Sequence, residues 1–214
     1  MVVLVTAFDA FGGEVTNASW EALERLPDNI AGNQIIKKQL PTVFGKSFDV
    51  LTKYIEEFNP ALIICLGQAA GRRGITVERV GINIDDARMP DNEGNQPIDK
   101  CIREEAKQAA YFSTLPIKAM VEKISRRGIE ASVSNTAGTF VCNHILFNAL
   151  HYAVVNKLHY RAGFIHVPST KEQAEGKPDM PYMELMDIVK GLEAAIEVAC
   201  QRKEDIRLVG GTIF

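Results

Sequence analysis

The sequence predicts a single α/β domain: an open, twisted, mostly parallel sheet with helices on both faces. Three observations predict it. Short and nearly all-apolar runs, such as Val2–Ala7 and Ala61–Leu66, read as strands covered on both sides, as in parallel sheets. Between such runs lie segments of helical periodicity, and the alternation is that of an α/β fold. The 214 residues contain no internal repeat and no low-complexity linker, so residues 1–214 are expected to form one unit.

The elements follow in order. Val2–Ala7 is the first strand. Asn17-Ala18-Ser19-Trp20-Glu21 supplies a capping residue and an acidic first turn, which predicts a helix to about Leu26, before Pro27. Gln34–Leu40 reads as a second strand. Phe44, Phe48, Leu51, Ile55 and Phe58 lie on one helical stripe, and Asn59-Pro60 ends that helix. Ala61–Leu66 is a strand stopped by Gly67, and Ile75–Asn83 alternates as another. Asp85–Asp99 carries two prolines and many turn formers, so it is a long loop of the kind often used for function. A helix is expected over Ile117–Arg126 and a short strand over Ala131–Ser134. A helix then runs from about Cys142 to Leu158, and Arg161–Val167 is a strand stopped by Pro168. Leu185, Ile188, Val189, Leu192, Ala195, Ile196 and Ala199 mark the last helix.

Lys and Arg total 24 against 27 Asp and Glu, a net charge of −3, which argues against a nucleic-acid partner. No run approaches the length of a membrane span, and no signal-peptide pattern precedes the first strand. Cys65, Cys101, Cys142 and Cys200 form no CxxC pair and read as reduced thiols of a cytoplasmic protein. There is no HExxH and no His/Asp/Glu set at metal-ligand spacing. Asp85, Asp86 and Asp91 suit turns better than a cation, so neither a metal nor another cofactor is expected.

Chemistry concentrates in Ser134–His144. A strand ends, a small-residue turn follows, and Cys142 opens a helix, where free N–H groups and the helix dipole favour a thiolate with a pKa below about 7.5. The same N–H groups suit an oxyanion. The alternative is a small buried thiol. His166 closes the strand GFIHVP and is the candidate base; it also reads as a structural histidine. His144 lies too near Cys142 on one turn, and His151 and His159 fall on the solvated side. Glu78, flanked by apolar residues, must be paired if buried. It reads either as the acid that orients His166 or as the partner of Arg79 or another arginine.

The segments GQAAGRRGITVERVGIN, DARMPDNEGNQPID, SNTAGTFVCNH, GFIHVP and FDAFGG…NASWE occur in one order over residues 6–168. Together they resemble the pyroglutamyl peptidase I family, also called pyrrolidone carboxyl peptidase. The resemblance implies a cysteine peptidase that removes an N-terminal pyroglutamyl residue from peptides. It places the nucleophile on Cys142, the base on His166 and the acid on Glu78, and it implies a homotetramer. A pocket for the neutral lactam is expected to be apolar. Phe8, Phe11, Phe140 and Val141 are its candidate walls, though the phenylalanines also read as core. Asn17 and Gln68 are candidates for lactam contacts by side chain or main chain, with the alternatives of helix cap and turn former. Arg88 either lines the cleft or steadies its loop. Two positions depart from the family pattern: Ala10 and Ala18 stand where members usually carry proline. Both bear on the rigidity of the N-terminal loop. The α/β pattern alone also admits a nucleoside phosphorylase-like enzyme, or a module that binds blocked N-termini without cleaving them.

Overall fold

In chain order the elements of the computed structural model are β1 (Val2–Phe8), α1 (Ala18–Arg25), β2 (Asn29–Ile30), β3 (Asn33–Leu40), α2 (Lys46–Phe58), β4 (Leu62–Gln68), β5 (Ile75–Glu78), β6 (Val80–Ile82), β7 (Ala110–Phe112), α3 (Ile117–Arg126), β8 (Ala131–Ser134), α4 (Val141–Val155), β9 (Arg161–Val167), β10 (Ser169–Thr170), α5 (Lys171–Ala174), β11 (Tyr182–Met183) and α6 (Leu185–Gln201). The structure describes residues 1–211; the end of the expected unit, 212–214, lies outside the described residues.

Seven strands form one sheet in the order β2-β3-β1-β4-β9-β5-β8. β3, β1, β4 and β9 run parallel, while β5 pairs antiparallel with β9 and parallel with β8. The sheet is therefore mostly parallel but mixed. Alternation along β1 and β4 sends Val3, Val5, Ala7, Leu62, Ile64 and Leu66 to one face, which α1, α3 and α6 cover. Leu4, Phe8, Ile63 and Cys65 point the other way, onto Phe48 and Leu51 of α2 and Ile145 and Leu146 of α4. Burying such side chains stabilises the fold by roughly 1.5–3 kcal/mol each.

Local chemistry explains the ends of the helices. Asn17 caps α1 by accepting from the Ser19 N–H at 3.0 Å. Asn59 ends α2 in the left-handed region at φ 42°. Pro116 leaves α3 without a side-chain cap of its own, and Asp205, distant in sequence, accepts from the Lys118 and Ala119 N–H groups instead.

The segment expected as one strand over Ile75–Asn83 is two. The Arg79 N–H still reaches Ser134 at 2.9 Å, but its carbonyl accepts from Ser113 at 2.8 Å, so the chain leaves the main sheet at Arg79. β6 then pairs with β7 in a separate ribbon. Alternation marks extended backbone without naming its partner. His151 is buried rather than solvated, its Nδ1 3.0 Å from the Tyr111 hydroxyl. Among the described residues no helix is long and apolar enough to cross a membrane.

Candidate active site

The register of three strands gathers one set of side chains. His166 lies opposite Gly67 across β4 and β9. Across β9 and β5 it lies opposite Thr76, so Glu78, two residues on, shares its face on the diagonal. Glu78 Oε1 accepts from His166 Nδ1 at 2.8 Å, and the two residues are 0% and 4% exposed. A carboxylate only accepts, so Nδ1 carries the proton and the neutral ring keeps its lone pair on Nε2. Burial pushes the His166 pKa below its usual value, against the opposing pull of Glu78. Burial acts to raise the Glu78 pKa, but the hydrogen bond from His166 and the charge of Arg72 hold it below the usual value, so Glu78 stays ionised. Arg72 Nη1 lies 2.6 Å from the same Oε1, and its Nη2 donates to the Thr136 carbonyl at 3.2 Å.

Cys142 reaches this face from α4. Phe140, the N-cap, offers no side-chain hydrogen bond, so no capping side chain covers the first N–H groups of the helix. A Cβ built on Gly67 would stand 2.9 Å from the Cys142 sulfur and 2.7 Å from Phe164 Cζ. The sulfur thus rests against bare backbone, at the residue paired with His166. The expected low thiol pKa is not found. Burial, and then the Glu78 charge, push the Cys142 thiol up to about 12, with Arg72 opposing. Half a charge at a helix end loses to desolvation plus a nearby carboxylate. The resting site is a neutral thiol beside a neutral imidazole. The site lies at the carboxyl ends of β4 and β9, where Gly67 and His166 are each one residue from the end of their strand, and β5, running against β9, brings Glu78 to it.

An aromatic wall stands beside it. The Phe11 and Phe140 rings lie 6.2 Å apart, and Phe44, which sequence reasoning placed only on a helix stripe, packs edge-on to Phe140 at 5.2 Å. All three are half-buried. Phe8, 2% exposed, packs on Phe164, and Val141 is fully buried, so these two stand behind the wall within the core. Asp91 holds the wall to loop 85–99. Its carboxylate accepts from the N–H groups of Phe44, Glu93 and Asn95 at 2.8–2.9 Å. Asp91→Ala is therefore expected to lower stability by about 3 kcal/mol, read as a fall in the urea midpoint. A parental midpoint would mean the loop holds its shape without this carboxylate.

A family model described as pyroglutamyl peptidase matches residues 1–202. The pyrrolidone-carboxylate peptidase of Clostridium perfringens strain SM101 is 53% identical over 213 residues, covering 100% of both chains. That of Alkaliphilus oremlandii is 54% identical over 213 residues, again covering 100% of both. The crystal structure of pyroglutamyl peptidase I from Bacillus amyloliquefaciens superposes with a TM-score of 0.94 at 46% identity, covering 97% of this chain and 99% of that one.

The chain belongs to the pyroglutamyl peptidase family.

Within this pyroglutamyl peptidase fold one of the two non-proline positions, Ala18, has a visible effect. The Ala18 N–H, which a proline would lack, donates to Gln68 Oε1 at 2.8 Å. Ala10 gives its carbonyl to Asn92 Nδ2 at 2.8 Å, tying the N-terminal loop to loop 85–99. Gln68 Oε1 also accepts from Gln173, and Nε2 donates one of its two hydrogens to Ser169. Asn17 is engaged likewise, by Ser19 and the Asp9 carbonyl. Arg88 is exposed on loop 85–99, beside Met89, whose methyl lies against Gly12. Asp85 bonds His144 Nδ1 at 2.8 Å, while His144 Nε2 accepts from the Gly45 N–H at 3.1 Å. This second histidine–carboxylate pair, like Arg72, escaped sequence reasoning. Only the buried-charge argument on Glu78, which demanded a cationic partner, pointed toward Arg72.

Proposed function

We propose that this protein hydrolyses the bond after an N-terminal pyroglutamyl residue through Cys142, His166 and Glu78. The observation that carries the reading is the seating of the Cys142 sulfur on Gly67, opposite a His166 ring that is bonded to buried, ionised Glu78. As the sulfur attacks the pyroglutamyl carbonyl, its proton passes to His166 Nε2. Glu78 stabilises the imidazolium formed. N–H groups at the start of α4 hold the oxyanion, each worth about 3 kcal/mol. The intermediate expels the peptide amine, which takes the proton from His166, and leaves a thioester. Water, deprotonated by His166, then releases pyroglutamate and restores the thiol. Because thiol and imidazole rest neutral, the proton moves during attack rather than beforehand.

Phe11, Phe140 and Phe44 supply an apolar wall suited to a neutral lactam ring. Cytoplasmic location and a homotetramer accompany this reading, carried by the resemblance. The test is release of a chromogenic amine from a pyroglutamyl amide, before and after iodoacetamide. Full alkylation of Cys142 is expected to abolish release; activity that survives it overturns the thiol mechanism. The same chromophore on glutamate or glutamine should be cut at least about 100-fold more slowly, because a charged amine in an apolar site lacks partners. Equal rates would reject the lactam pocket. Glu78→Gln should lower kcat by about 10²–10⁴-fold, less than loss of the sulfur does. A parental rate would remove Glu78 from the triad.

A further inference from the structure

Arg72 sits where three parts of the site meet. Its Nη1 binds the one Glu78 oxygen that His166 also uses, while Glu78 Oε2 is buried with no hydrogen-bond partner in the structure. The same Nη1 bonds the Thr76 hydroxyl, and Thr76 is the strand partner of His166. Nη2 holds the Thr136 carbonyl in the turn that leads to Cys142. One planar fork thus spans the acid strand and the approach to the nucleophile, a task suited to guanidinium and not to a point charge.

We infer that Arg72 is a positioning residue whose charge helps keep His166 in its neutral form while its fork fixes Glu78 against the Ser134–Thr136 turn. The inference rests on the triad reading above. Its physical content is a charge balance. Glu78 alone would draw a proton onto His166, leaving the imidazolium that cannot act as base. Burial is the larger force opposing that pull, and Arg72, on the same oxygen, adds to it; on Cys142 the same charge favours the thiolate against Glu78. The groups facing His166 are Glu78 and Arg72, with the Phe164 ring 4.7 Å away. The Arg72 side chain is 28% exposed, so its charge acts partly through solvent and its pull is moderated.

The test compares Arg72→Gln, which keeps donors and loses charge, with Arg72→Lys, which keeps charge and loses the fork. Two readouts are taken against pH: kcat/KM, and the rate of Cys142 alkylation by iodoacetamide, which needs no substrate. For Arg72→Gln the acid limb of both profiles should move up by about one pH unit, since His166 now holds its proton to higher pH. For Arg72→Lys the limb should stay in place while kcat falls about tenfold or more. Limbs unmoved in Arg72→Gln, or moved equally in both variants, overturn the charge role. If Arg72→Gln fails to fold, Arg72→Lys decides, because a displaced limb or a parental kcat there contradicts the proposal. Failure of the peptidase reading would show separately, as turnover by fully alkylated enzyme.

Discussion

Cys142→Ser is expected to fold as the parent does and to lose at least about 10³-fold in kcat. The exchange alters one atom, and the hydroxyl fits the slot against Gly67, so melting should shift little. The chemistry changes far more. A serine hydroxyl is a much weaker acid than a thiol, and the His166–Glu78 pair is arranged around sulfur. Losing the nucleophile of such a triad leaves only binding and oxyanion stabilisation. The measurement is steady-state turnover of a pyroglutamyl amide, with circular dichroism to establish folding. A folded Cys142→Ser within tenfold of the parent would place the nucleophile elsewhere.

Gly67→Ala should be nearly as damaging, although residue 67 donates nothing to the reaction. The new methyl would stand 2.9 Å from the Cys142 sulfur and 2.7 Å from Phe164 Cζ, closer than carbon tolerates. Something must shift, and each available shift harms the site. Moving the sulfur takes it off Gly67, the residue paired with His166. Moving the Phe164 ring disturbs the imidazole 4.7 Å away. Overpacking of this kind costs about 1–3 kcal/mol, and a misplacement near 1 Å costs about 100-fold in rate. We expect a lower melting temperature and a kcat/KM reduced by at least about 100-fold. Full activity in Gly67→Ala would show that the sulfur does not rest there.

The apolar runs Val2–Ala7, Ala61–Leu66 and Arg161–Val167 were readable as buried strands because each is covered on both faces, and they are β1, β4 and β9. The stripe Phe48, Leu51, Ile55 was readable because one helix face meets the core. The direction of β5 was not readable. Periodicity is blind to orientation; the chain turns back within residues 69–74, a link too short for a parallel crossover. At the site, Cys142, His166 and Glu78 stood out by residue type and by position at element ends. Their protonation states did not, because desolvation depends on tertiary packing that no local pattern encodes. Gln68 and Asn17 looked like ligand contacts because polar groups at strand and helix ends often are. In the structure both also hold the backbone of α1, and Gln68 bonds Gln173 and Ser169.

The central place of β9 has a consequence for how the molecule comes into being. β9 lies between β4 and β5, so nothing hydrogen-bonds the β5–β8 pair to the earlier strands until residues 161–167 have arrived. A nascent chain can zip β1, β3 and β4 together, yet its glutamate and its thiol wait on a half-built surface for the imidazole. Long-range closure of this kind is slow. Every fragment ending before β9 lacks the strand that joins the two parts of the sheet, and with it His166.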